Sequence, residues 1–258
     1  MIKDFFRQFF TKKQLDAYGR LKYAVKLWWA GLRFDLFEQT YKVEGLEFEI
    51  PYHLTHRQFR GRFPLDMYEA EERRHLKNYL APDSTVLELG ACLGVVSCLI
   101  NRLLTKPERH VAVEAHPELA QYTERNRLKN NCLFKVEHCI ISDQKENSFF
   151  IHKLITGGST HRQIGKKINV TGKTITELEA AHGLRFDTLI MDIEGGELAF
   201  FKHYKHDLSR FRKIFVELHP FENILTPEEA AECQQILVES GFRKLLHDDN
   251  FEIWENVN

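Results

Sequence analysis

The sequence predicts an open α/β fold: a mainly parallel seven-stranded sheet with a C-terminal antiparallel hairpin, preceded by an N-terminal helical extension. Three observations carry this. Beyond residue 80, short apolar runs of strand length alternate with helical segments, the pattern of a parallel sheet with covering helices. The chain closes with two strand-like runs, 243–246 and 252–254, around the turn His247-Asp248-Asp249-Asn250. Its first forty residues instead place apolar side chains three or four apart.

Taken in order, residues 1–66 form the extension and 67–258 the α/β domain. Phe5, Phe6, Phe9, Phe10, Leu15, Tyr18, Leu21, Val25, Trp28 and Trp29 recur at helical spacing. Around them Lys3, Arg7, Lys12, Lys13, Arg20, Lys22 and Lys26 outnumber Asp4 and Asp16, so the polar face is basic. Such a helix either packs on its own domain or a second copy, or lies in a membrane interface; the sequence leaves both open. Residues 46–50 alternate and read as a strand, and a helix runs from about 67 to 79. The sheet strands are then 86–89, 111–114, 133–139, 188–192 and 214–217, followed by the closing pair.

A net charge of −1 over 258 residues excludes the strongly basic field of a general nucleic-acid binder. The five cysteines lie mostly in apolar runs and never at C-x-x-C spacing, which points to a reducing compartment without a zinc or redox motif. Charges interrupt the amino terminus before a signal-peptide core forms, and the apolar stretch 27–32 is far too short to span a bilayer. The expected location is cytoplasmic, free or at a membrane surface.

The chemistry-bearing motifs sit where strands end. In Val86-Leu87-Glu88-Leu89-Gly90-Ala91-Cys92-Leu93-Gly94 an apolar strand runs through an acid into a glycine turn and then a helix. Gly90 permits the tight turn, and Gly94 is expected to keep the helix start bare for a ligand. A dinucleotide site would want a middle and a third glycine, and Cys92 occupies the middle position. That departure weakens the runner-up, a nicotinamide-dependent oxidoreductase. Glu114 ends the next strand, where an acid accepts hydrogen bonds from ribose hydroxyls. Farther on, Asp192 and Glu194 share a face if their strand reaches 194, as do Glu217 and His219 on the next. Four ionisable groups at neighbouring strand mouths mark a site rather than a surface, and argue against a non-catalytic binding module.

These motifs resemble the FkbM family of methyltransferases over roughly residues 67–255. The family pattern D-x-G-A-N-x-G appears here as Glu88 to Gly94, with Glu88 for Asp and Cys92 for Asn; the E-P-x-x-E-like segment is Glu114-Ala115-His116-Pro117-Glu118. The element D-x-E-G-x-E is matched by Asp192-Ile193-Glu194-Gly195-Gly196-Glu197, and the late E-x-H by Glu217-Leu218-His219. The resemblance implies a Rossmann-like fold, S-adenosylmethionine as methyl donor, and O-methylation of a sugar, glycan or related small molecule. It also implies donor contacts from Glu69, Glu88, Gly90, Ala91, Gly94, Glu114, Ala115, Ile140, Ser142 and Asp192.

Methyl transfer to an alcohol needs in-line alignment and a base. His219, taken as neutral near pH 7, is the first choice of base, and Asp192 the second; Glu194 and Glu217 complete the catalytic group. Asp192, Glu194 and Glu217 also offer oxygen ligands to a magnesium ion, although a metal-free site is the favoured reading. Residues 156–163, with two glycines among polar side chains, are read either as an acceptor-pocket wall or as a plain loop.

Overall fold

The computed structural model describes residues 12–151, 155, 165–220 and 224–258. They fall into two compact units, one from residues up to Gly45 with Ile50–Tyr68, the other from Leu46–Glu49 with Glu69–Asn258. Phe5, Phe6, Phe9, Phe10 and the loop 156–163 lie outside the described residues.

In the first unit, α1 (Lys12–Arg33) continues into a π-helical turn, Phe34–Glu38, closed by Gln39 in the left-handed conformation. It packs closely on the short helix Arg57–Arg60. A Cβ at Gly31 would meet the Arg57 carbonyl oxygen at 2.0 Å, and one at Gly61 the Leu27 carbonyl oxygen at 2.0 Å. Phe34, Tyr41, Phe59, Phe63 and Tyr68 form an aromatic core, with the Tyr41 and Phe63 rings 4.7 Å apart. Arg57 and Arg60 both donate to Asp35; these bonds outweigh the cost of its burial and hold its carboxyl below the ordinary value.

In the second unit, β1 (Leu46–Phe48) is tied to α4 (Pro117–Lys129) by side-chain amides. The backbone N–H groups of Glu47 and Glu49 donate to Asn130 and Asn126 at 2.9 and 2.7 Å. After α2 (Ala70–Tyr79) come β2 (Val86–Leu89), α3 (Val95–Leu103) and β3 (His110–Val113). Past α4, β4 (Lys135–Glu137) reaches the sheet edge, and α5 (Ile175–His182), β8 (Thr188–Met191), α6 (Glu197–Tyr204) and β9 (Lys213–Glu217) follow the 138–174 segment. The chain closes with α7 (Pro227–Glu239) and the hairpin β10 (Phe242–Asp248) and β11 (Phe251–Asn256).

The sheet order is β10-β11-β9-β8-β2-β3-β4, seven strands, parallel except where β11 pairs with β9 and β10. β2, β3 and β8 are buried at every position, as expected of apolar runs covered by helices on both faces. The chain runs outward from β2 to β4, then returns to build the other half from β8. That reversal opens a crevice at the carboxyl ends of β2 and β8.

Register decides what meets there. Leu89 pairs with both Val113 and Met191, and Met191 with Val216. The next residue along each strand is therefore at the same level: Gly90, Glu114, Asp192 and Glu217.

β7 (Lys166–Lys173) pairs with β6 (Glu146–Ile151) and with the short β5 (Ile140–Ile141) in a separate three-stranded sheet. The strand LysLys-Ile-Asn-Val-Thr-Gly-Lys buries only Val170 and Gly172, so its hydrophobic alternation is faint. Gly172 is required because a Cβ would lie 1.9 Å from the Gln144 carbonyl oxygen.

Candidate active site

The glycine turn is fixed by its neighbours. Gly90 and Ala91 donate to the Val113 carbonyl at 2.9 and 3.2 Å, and the Asp192 N–H donates to the Leu89 carbonyl at 3.0 Å. Gly90 has φ +91°, and its bare α-carbon faces the Asp192 backbone. Gly94, at φ +74°, begins α3 with its α-carbon against Thr123 of α4, where a Cβ would sit 3.0 Å from the Thr123 methyl. Its bareness also lets α3 and α4 pack closely there.

Glu114 is buried and held by backbone donors: Cys92 N–H on Oε2 and His116 N–H on Oε1, both at 2.7 Å. Burial pushes its carboxyl up to about 7, against the lowering effect of those bonds. Cys92 adopts φ +50°, so its backbone N–H reaches Glu114 without any help from its side chain. Glu88 is placed differently. Its carboxylate is buried in the sheet, with Oε2 2.9 Å from Nε2 of the fully buried His110. The Ala115 carbonyl faces His138 Nε2 at 3.1 Å. Ile140 lies in β5, and Ser142 turns the chain beyond it, its Oγ accepting from Gln144 N–H at 3.1 Å.

Facing the turn is the acid cluster. β8 stops at Met191, and Glu194 takes the left-handed conformation at φ +53°. The premise that strand alternation aligns Asp192 with Glu194 therefore fails. A kinked turn, not a strand, brings the Glu194 charge near Asp192 and His219. His219 Nε2 lies 3.2 Å from Glu217 Oε1, and its Nδ1 lies 3.8 Å from Asp192 Oδ1. Among the described residues, those last two atoms are buried without hydrogen-bond partners, although the Asp192 side chain as a whole stays 34% exposed.

Charge states follow from this crowding. Burial alone would lower the His219 pKa, but the Glu217 hydrogen bond and the charges of Asp192, Glu217 and Glu194 push it up to about 10. His219 is thus an imidazolium at neutral pH, not the neutral acceptor expected from its ordinary value. Desolvation, then the Glu217 charge, hold the Asp192 carboxyl well above its usual range, with His219 pulling the other way. The Glu72 carboxyl on α2 is likewise well raised, by desolvation, by Glu69, Glu217 and Asp192, and by donating to Glu217.

Potential ligand atoms of Glu72, Asp192 and Glu217 lie within 4.8 Å of one another, as do those of Asp192, Glu197 and His219. Glu194 joins neither trio, so the oxygen set expected for a metal is replaced by one that includes Glu72. A family model described as the methyltransferase FkbM domain matches residues 88–244, well over half of the chain. The chain belongs to the FkbM methyltransferase family.

None of the curated proteins compared matches this FkbM protein. Among solved structures it is similar to an O-methyltransferase from Bacillus cereus in complex with SAH, at 12% identity over 90% of this chain and 88% of that one, TM-score 0.43. It is also similar to a precorrin-6y C5,15-methyltransferase from Geobacter metallireducens, at 11% identity over 80% and 90% of the two chains, TM-score 0.45. Membership in a methyl-transferring family displaces the nicotinamide alternative.

Two site residues of this FkbM chain escaped the sequence reading. Glu197 stands in the Asp192-to-Glu197 motif and was legible there; it is fully buried at the start of α6, accepting from Ile193 N–H at 3.3 Å. Glu72 lies before the matched segment, and only its spacing of three from Glu69 on a helix hinted at a shared face. Glu69 itself caps α2 in the left-handed conformation, at φ +50°, close enough to Glu72 to raise it.

Proposed function

We propose that the protein is an S-adenosylmethionine-dependent O-methyltransferase acting on a hydroxyl of a sugar, glycan or related small molecule. The observation that carries this reading is the register of Glu114, Asp192 and Glu217 around Gly90: a ribose-binding acid on one side of the turn, acid-base groups on the other.

The residues fit such a donor. Glu114, oriented by two backbone N–H groups, presents a buried carboxylate suited to paired hydroxyl donors, next to a turn in which no side chain intrudes at Gly90. Ala91, Ala115, Ile140 and Ser142 are the proposed remaining contacts, while Glu88 acts from beneath through His110. When bound, the sulfonium supplies an electrophilic methyl group.

The chain's own work is to place an alcohol and take its proton. Asp192 is the proposed base: it is partly exposed, and its raised pKa makes the ionised carboxylate a stronger proton acceptor than an ordinary one. His219, as imidazolium, anchors Asp192 and Glu217 and steadies negative charge developing on the acceptor oxygen. Glu194 adds to the field that keeps His219 protonated. The favoured reading is metal-free, with shared protons and one imidazolium offsetting the carboxylates.

The test is transfer of radiolabelled methyl from S-adenosylmethionine to a panel of glycans, free sugars and hydroxylated small molecules. Alkali-stable label on a hydroxyl oxygen of the acceptor is expected. Label found only on nitrogen or carbon, or no label despite donor binding, would overturn the proposal.

A further inference from the structure

We infer that α1 docks on the surface of an anionic phospholipid bilayer, through the face opposite the one it packs. The packed face is Leu27, Gly31 and Phe34, which are buried; Leu27 is the only large apolar side chain of α1 itself in that state among the described residues. Left outside is a second apolar stripe at helical spacing: Tyr18, Leu21, Val25 and Trp29, 66%, 62%, 47% and 61% exposed, continued by Leu36 at 61%. Trp28 stands beside it, edge-on to Trp29 with ring centroids 5.2 Å apart. A contiguous apolar strip of this length on a soluble surface marks an interaction site, where isolated exposed apolar residues would not.

Charge selects the occupant. α1 carries Lys12, Lys13, Arg20, Lys22, Lys26 and Arg33 against the single acid Asp16. At 100° per residue, Lys22, Lys26 and Arg33 fall together directly beside Trp29, while Asp16 falls on the opposite side of the helix, near Leu27. Of the acids that follow, Asp35 is taken by Arg57 and Arg60, and Glu38 by Arg33. Lys22 and Lys26 are thus the cations flanking the stripe, at the depth of lipid phosphates when the stripe enters the acyl boundary. Tryptophan pairs favour that same boundary, with apolar ring bodies and a polar N–H at headgroup level. The helix does not meet the length and hydropathy required to cross a membrane, so it would lie flat. This inference is independent of the methyl-transfer reading.

The test uses the full chain with vesicles of phosphatidylcholine alone or mixed with phosphatidylserine, at about 0.1 M salt where charge is only partly screened. Expected are co-sedimentation with the anionic vesicles, a blue shift of tryptophan emission, and roughly tenfold or weaker association with neutral ones. The Leu21→Asp/Trp29→Asp variant should lose both signals, and Lys22→Glu/Lys26→Glu the anionic preference, each with an unchanged circular dichroism spectrum. If the first variant misfolds, the surface charge reversal still decides the matter. Failure of the wild type to bind either vesicle, binding indifferent to the charge reversal, or burial of the stripe in a dimer that ignores vesicles would each overturn the inference.

Discussion

A Cβ at Gly90 would sit 1.7 Å from the carbonyl oxygen of Asp192, so the turn after β2 and the end of β8 touch backbone to backbone. Gly90→Ala must break this contact and also hold alanine at φ +91°. The strain alone costs about 1–3 kcal/mol, before the clash is relieved. Gly183 is a control with φ +64° and nothing within 4 Å of its would-be Cβ. Thermal unfolding should show a clearly larger loss for Gly90→Ala than for Gly183→Ala; equal losses would mean the two backbones are not in contact.

Asp192 and Glu114 flank that turn with different proposed tasks. Asp192→Ala should reduce turnover on the order of 10²–10⁴-fold, the range for a lost base, with donor affinity changed only a few-fold. Glu114→Ala should weaken S-adenosylhomocysteine binding in calorimetry while sparing more of the rate at saturation. The reverse pattern would exchange their roles.

Glu114 should make donor binding pH-dependent. Burial sets its carboxyl at about 7, and hydroxyl donors favour the ionised form. Affinity for S-adenosylhomocysteine should therefore strengthen as pH rises through 7, and Glu114→Gln should flatten the curve. A flat wild-type curve from pH 5.5 to 8.5 would rule out this role.

His219 predicts an alkaline limit. Its folded-state pKa of about 10 stands above the ordinary 6.5, so its stabilising contribution is complete below 6.5 and is lost as pH rises through 10. Melting temperature should fall between pH 7 and 10, and less steeply in His219→Gln; kcat should decline on the same limb. Parallel melting curves for the two proteins would contradict an imidazolium at this position.

With protons offsetting the carboxylates, EDTA should leave the methyl-transfer rate unchanged. A large loss restored by magnesium would instead assign a cation to Glu72, Asp192 and Glu217, whose ligand atoms lie within 4.8 Å of one another.

The sheet was legible because its central strands, such as Thr188–Met191, are short apolar runs covered on both faces, and the glycine turn and closing hairpin punctuate them. The pairing of β6 with β7 was not, since lysines and polar residues mask its alternation. At the site, Asp192, Glu217 and His219 were readable as a group from strand ends. Glu194 reached the group through a left-handed kink that a period of two does not foresee. The protonation of His219 was out of reach, because it is set by carboxylates that only tertiary structure gathers around the ring. Glu72 belongs to a helix that precedes the whole sheet.

The pairing of β2 with β8 joins segments about one hundred residues apart, a separation that slows assembly. Until it forms, Gly90 and Glu114 on one half of the sheet stay apart from Asp192 and Glu217, which the β8–β9 pairing joins on the other half. During refolding, recovery of helical signal should thus run ahead of recovered turnover, which makes catalysis itself a sensitive gauge of whether this topology has closed.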